Sequence, residues 1–418
     1  MELKNLGLSV LAVAAFTTNV YSADSLKDAF SNGKFDGGFK AVVYDVDKAA
    51  KGKESITSLG VMLHYTTAPF YGFSIGLRAQ SSNSPWTNDK EKKFYKADLY
   101  GPGAVLEEAY LKYQIKKSSI KVGRQFIKTP LLSGSGSRII HESFEGYTAD
   151  IKALPKTSIF AGYVNKYLTR TNFLTSTDQG VGTFAKNIFM YGAKYKYKMD
   201  NLWTVMINNK SVKGLNLTGQ YLVVKNATIA STNTPQGDIT VGLAQAEYKF
   251  KAGGLGMLAG IQYGSSNVDK DPTRSGDLVG FKLATKYNGL MAGLGYTIAN
   301  KDKSMVSGVG ISSNWAYAGD KIGLENYNKD VDALSLNLKY KFKKFGMKNL
   351  MMLGRYTRYN MGSNATLNGG KDLNAYDFVA RYAFLGSLKG LAVKVHYENV
   401  TYDTGDVTNY RLYADYKF

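Results

Sequence analysis

The chain has 418 residues, with 53 Lys and Arg against 33 Asp and Glu for a formal net charge of +20, and it carries 44 Gly, 31 Tyr and 20 Phe but no Cys. Without cysteine no disulfide framework holds the fold, and past the amino end no apolar run reaches the roughly 18 residues of a transmembrane helix. A basic excess of this size points to nucleic acid, an anionic surface or anionic small molecules, and the positions of the cations must decide among these.

At the amino end Lys4 precedes an apolar run, Leu6 to Phe16, and a polar stretch that ends in NVYSAD. With Val20 and Ser22 at the −3 and −1 positions, residues 1–22 read as an export signal peptide. Residues 23–34 follow as a short N-terminal segment, and 35–418 is one repeated construction without a linker.

Alternating segments come next, near 35–46, 57–66, 70–80, 107–116, 119–126, 144–152, 156–164 and 187–198. After a segment at 213–224 they resume at 239–250, 255–265, 277–287, 290–299, 332–342, 348–359, 375–384, 390–402 and 409–418. In LSLNLKYKF (334–342), Leu334, Leu336, Leu338, Tyr340 and Phe342 share one face, and Ser335, Asn337, Lys339 and Lys341 share the other. The apolar face is aliphatic in mid-strand and aromatic at the end. A soluble sandwich gains nothing from aromatics massed at strand ends, whereas a membrane barrel needs an aliphatic band, an aromatic girdle and a polar lumen. The fold class is therefore all-β, a transmembrane antiparallel β-barrel in outer-membrane lipid.

The endings AKYKY (193–197), AEYKF (246–250), LKYKF (338–342) and ADYKF (414–418) predict strands that run the same way. Only an odd number of crossings then fits between 198 and 239. We therefore keep 213–224 and set aside a second candidate at 202–208. The count is eighteen, an even number as bacterial barrels require. Tyr416 and Phe418 belong to the girdle at the periplasmic side. A terminal aromatic resembles the assembly signal of bacterial outer-membrane barrels, which implies the barrel-assembly machinery as a partner.

The histidines His64, His141 and His396 lack the spacing of a metal site, no nucleophile with a positioned base is evident, and no cofactor is expected. By strand parity Lys40, Arg78, Lys282, Lys339, Arg381, Lys394 and Arg411 face the lumen, while Arg124 falls on an apolar face. Cations inside a pore favour small anionic solutes and leave no surface for nucleic acid. A solvated wall with an incidental basic excess is the plainer alternative.

The stretch LEEAYLKYQIKKSSIKVGRQFIKTPLLSGSGSRIIHESFEGY (106–147), with its AYLKY, KVGRQ, TPLL and FEGY, resembles the OprD-type outer-membrane porins of Gram-negative bacteria, as does DSLKDAFSNGKFDGGFKAVVY (24–44). The resemblance implies a constriction loop at 127–143, containing Thr129, Ser135, Arg138 and His141. It also implies a ladder of basic side chains, to which Arg124 and Arg138 would belong. Many relatives carry an acidic residue shortly before the loop arginine, but this chain reads GSGSR, which removes a contact for a substrate's ammonium group. The expected function is passive diffusion of small hydrophilic solutes, favouring anionic or carboxylate-bearing nutrients. A surface barrel acting as an adhesin or structural protein is the alternative, and a homo-oligomer is compatible with either.

Overall fold

The computed structural model describes residues 23–49, 52–173, 179–192, 196–320 and 325–418; the expected signal peptide, 1–22, lies outside them. Strand order follows chain order: β1 (Lys34–Lys48), β2 (Gly52–Thr66), β3 (Phe73–Asn83), β4 (Gly103–Ile115), β5 (Ser118–Gln125), β6 (Ser143–Ile151) and β7 (Thr157–Leu168). Next come β8 (Asn201–Asn209), β9 (Leu215–Ile229), β10 (Pro235–Ala252), β11 (Leu255–Val268), β12 (Asp277–Tyr287) and β13 (Leu290–Ala299). The last are β14 (Val331–Lys341), β15 (Leu350–Met361), β16 (Leu373–Ala383), β17 (Leu391–Thr401) and β18 (Val407–Lys417). Each pairs antiparallel with the next, and β1 pairs with β18 from Gly38 against Lys417 to Lys48 against Val407. Phe418 completes the seam by exchanging two 3.1 Å backbone hydrogen bonds with Gly37.

Alternation sets which face meets lipid. On β14, Leu334, Leu336 and Leu338 are exposed on the outer surface, while Ala333 and Ser335 between them are buried inside. Strands that run toward the periplasm end in neighbouring aromatic rings: Tyr248–Phe250, Tyr340–Phe342, Tyr382–Phe384 and Tyr416–Phe418, at 4.9–6.2 Å between centroids. That is the interfacial girdle of an outer-membrane barrel.

The eighteen strands are not all the expected ones. Residues 187–198 contribute no barrel strand: only Asn187–Ile188 and Tyr197–Lys198 are extended, as two-residue pieces within the loop between β7 and β8, and 193–195 lie outside the described residues. The rejected candidate is instead β8, paired with β7 from Leu202–Val164 to Asn209–Thr157 and with β9 on its other side. The aromatics of the mistaken segment serve the interior. Tyr191 hydrogen-bonds to the carbonyl of Ile311 and stacks on Tyr327, and Ile188 and Tyr197 are fully buried. One strand lost and one gained leaves the count even.

Four outer connections are long: L2 (84–102), L3 (126–142), L4 (169–200) and L7 (300–330). A helix in L2, α1 (Asp89–Tyr95), starts from a capping box between Asn88 and Glu91. L3, L4 and L7 turn into the barrel and build the largest apolar cluster among the described residues, in which Leu131 and Leu132 of L3, Met190 of L4 and Val306, Val309 and Trp315 of L7 meet Leu222, Val241 and Leu278 of the wall.

A closed ladder leaves no strand edge and no unpaired backbone in lipid. Unheated protein should therefore migrate differently from boiled protein on a detergent gel, and give a strand-rich circular dichroism spectrum in micelles. A helical spectrum, or identical migration, would contradict closure.

Candidate pore constriction

L3 crosses the lumen. At its start the Leu131 amide donates to Gln220 Oε1 on β9 at 2.9 Å, and the amide of Gln220 donates to Thr129 Oγ1 at 2.8 Å. L7 runs beside it, with a parallel bridge between Leu132 and Val309. At the far end the His141 amide donates to Gln80 Oε1 on β3 at 2.8 Å. The sequence marks only L3 as a constriction, but L4 and L7 narrow the same space. Nothing in their composition sets them apart from loops that stay outside, so this part was not legible.

Asp98 in L2 ties the loops together. Its carboxylate accepts from Arg138 Nε of L3 at 2.9 Å and from Arg170 Nη1 of L4 at 2.5 Å. Burial alone would raise this carboxyl, but Arg138 and Arg170 beside it hold it well below the usual carboxylate range. Arg138 also donates to the Tyr413 hydroxyl and lies over the Tyr44 ring. Arg170 donates to the hydroxyls of Ser135 and Ser137, which explains the serines of GSGSR: they are donor-satisfied partners of an arginine from the next loop. The Ser135 amide in turn reaches Glu142 at 2.8 Å. Asp98 and Arg170 sit in separate loops, and no local motif announced them.

The expected basic residues divide into three groups. Arg78 is neutralised, with Nε 3.0 Å from Glu108 and 3.6 Å from Glu107, and Lys282 is paired with Glu247 at 3.2 Å. Arg411 is buried over the Tyr44 ring, 3.4 Å from His396 Nδ1 and 3.9 Å from Glu398. His396 donates through Nε2 to Asp377 at 2.9 Å. Asp377, His396 and Glu398 bring ligand atoms within 4.8 Å of one another, but the guanidinium already supplies the cation this group calls for. The third group forms no ion pair among the described residues. Lys394 lies 3.7 Å from the Tyr413 ring centroid, next in register to Arg381. Neither Arg381 nor Lys339 forms an ion pair among the described residues.

Arg124 does not belong to the track. It shares a face of β5 with the exposed Ile120 and Val122, pairs with Glu145 at 3.1 Å and stacks on Phe184. Strand parity puts it on the outer face, whereas the resemblance would put it in the ladder.

Between the tip of L3 and the wall lies a cavity of about 350 Å³, bordered by Lys40, Arg78, Gln80, His141, Arg381, Asp415 and Lys417. It opens beside the L3 tip, and cations outnumber acids around it. His141 is uncharged there: burial, then Lys40 and Arg78, push its imidazole down to about 3.

The sign for stability follows. The unfolded chain takes up a proton at His141 below about pH 6.5, and the folded protein refuses it until about 3. The folded state is therefore destabilised progressively as pH falls through that window. The thermal midpoint in detergent should drop more between pH 7.5 and 4.5 for the natural protein than for His141→Gln; equal drops would show that the imidazole titrates freely.

A sequence model of the outer membrane porin, OprD family, matches residues 78–235. No curated protein matches the chain. Among solved structures the chain is similar to OccAB2 of Acinetobacter baumannii, with a TM-score of 0.78, 16% identity, and 94% of this chain and 99% of that one covered. It is also similar to OccAB3 of the same organism, at 0.75, 15%, 93% and 99%, and to OccK3 (OpdO) of Pseudomonas aeruginosa, at 0.72, 15%, 94% and 97%.

Proposed function

We propose that the chain is an outer-membrane porin of the OprD type, a diffusion channel and not an enzyme, whose pore favours small solutes bearing a carboxylate or another anionic group. One observation carries this reading: beside the L3 tip the acids are already paired with cations, and two further cations are left over. Asp415 lies 4.0 Å from Lys40, Glu107 and Glu108 flank Arg78, and Asp98 holds two arginines. Arg381 and Lys417 border the cavity with no ion pair among the described residues. A carboxylate entering there meets open guanidinium and ammonium groups. Around this cavity, among the described residues, a solute ammonium finds only carboxylates that already face a cation.

The solute slides along this wall and is not held. Arg381 and Lys394 offer successive positive charges on β16 and β17, separated by one strand spacing. Several weak sites of one sign let an ion enter without trapping it. Confinement by low-dielectric walls screens such charges less than on an open surface.

Arg381→Glu tests this, because the side chain borders the cavity without supporting a loop. Reversal changes the local charge by two units, and at about 6 Å in water each is worth roughly 0.7 kcal/mol before screening. At 0.1 M salt, where the Debye length is about 10 Å, anion-over-cation permeability should fall several-fold. Near 1 M, where it is about 3 Å, most of the change should vanish. Unchanged reversal potentials in a salt gradient would show that the track lies off the solute path.

We assign assembly, and not conduction, to Tyr416 and Phe418. Phe418 is half exposed at the seam, with the rings of Phe39, Tyr416 and Phe35 6.0–6.5 Å away. Deleting Phe418 should reduce folded protein in the membrane and leave the selectivity of folded channels unaltered. Normal insertion with altered selectivity would refute the assignment.

A further inference from the structure

We propose that Lys40, Gly60 and Gln80, on the adjacent strands β1, β2 and β3, form a latch that holds the tip of L3 and so sets the width of the passage. This concerns position, not charge, and stands whether or not the pore prefers anions.

The tip, residues 136–141, has no strand partner for its backbone. Lys40 Nζ donates to the carbonyls of Gly136 at 3.1 Å and Arg138 at 2.8 Å, so one ammonium straps two nearby points of the loop to the wall. Directly across the β1–β2 register from Lys40 is Gly60. A Cβ on Gly60 would fall 2.3 Å from Ile139 Cγ2; the missing side chain is the space the Ile139 side chain fills, and Ile139 is buried. Gln80 adds the third anchor through the His141 amide.

The same residues are the walls of the cavity: Lys40, Gly60 and Gln80 on the barrel side, Gly136, Ile139 and His141 on the loop side. Any tilt of the tip therefore changes the cross-section directly. The base of L3 cannot follow such a tilt, because Gln220 and the Val309 bridge brace it. From above, Asp98 keeps the Arg138 side chain. Loss of the latch thus frees the tip to rock between positions without unfolding the loop.

Single-channel recording in 1 M KCl separates this role from charge, since exposed charges are strongly screened there. Lys40→Met should flicker between the natural conductance and a second level. Lys417→Met, which removes the same charge from the same cavity without a hydrogen bond to L3, should give a single level, whatever its height. Gly60→Leu keeps Lys40 and fills the socket, and should flicker as well. The chain contains no cysteine, and an ideal Cβ at Gly60 lies 3.6 Å from that of Ile139, within the range a disulfide spans. Oxidised Lys40→Met with Gly60→Cys and Ile139→Cys should return to one level, and flicker again after reduction. Each variant is first checked for heat-dependent gel migration. Steady currents from Lys40→Met and Gly60→Leu, or flicker that survives the cross-link, would overturn the latch.

Discussion

Everything in this molecule depends on the seam where β1 meets β18. In hydrocarbon an unpaired backbone amide or carbonyl costs several kcal/mol, so a sheet in lipid must close on itself. The chain accomplishes this by pairing its first strand with its last over eleven register positions, Gly38 to Lys48, and by adding the two Phe418 bonds. Closure then dictates composition. Every residue pointing outward must tolerate lipid, and every residue pointing inward is released from that demand.

Release from lipid does not make the interior a simple water-filled tube. A ring of eighteen strands is too wide for its wall side chains to fill, and here the outer loops do part of the filling. L3, L4 and L7 carry apolar residues into the lumen and bury them against the upper wall. Glycines on the inner face receive them. A Cβ at Gly264 would meet the Trp315 ring at 2.2 Å, and one at Gly295 the Tyr317 carbonyl at 2.3 Å, as Gly60 receives Ile139. The wall is shaped by what it omits.

Strand structure was legible because period-two alternation is imposed by lipid on one side and solvent on the other. The failure at 187–198 has the same root. An aromatic-lysine alternation says that two faces differ in environment, but not that the apolar one is lipid; in L4 it is the dry interior between loops. The cations show a similar limit. Parity puts Arg78, Lys282 and Arg411 inside, yet whether each is free depends on acids distant in sequence: Glu108, Glu247 and Glu398. Asp98, which joins three loops, gave no local sign of itself, since an acid in a polar loop looks the same whether it is solvated or clamped by two arginines.

L3 reaches from Gln80 on β3 and Lys40 on β1 to Gln220 on β9. It joins walls well separated around the ring, so it works mechanically as a tie across a hoop. A hoop without a tie flattens easily under uneven squeezing, because bending needs no change in perimeter. A tied hoop cannot flatten along the tie without compressing it. Lateral pressure from a stiff, crowded outer leaflet is thus carried by the loop that also borders the passage, and bore and roundness are one mechanical quantity.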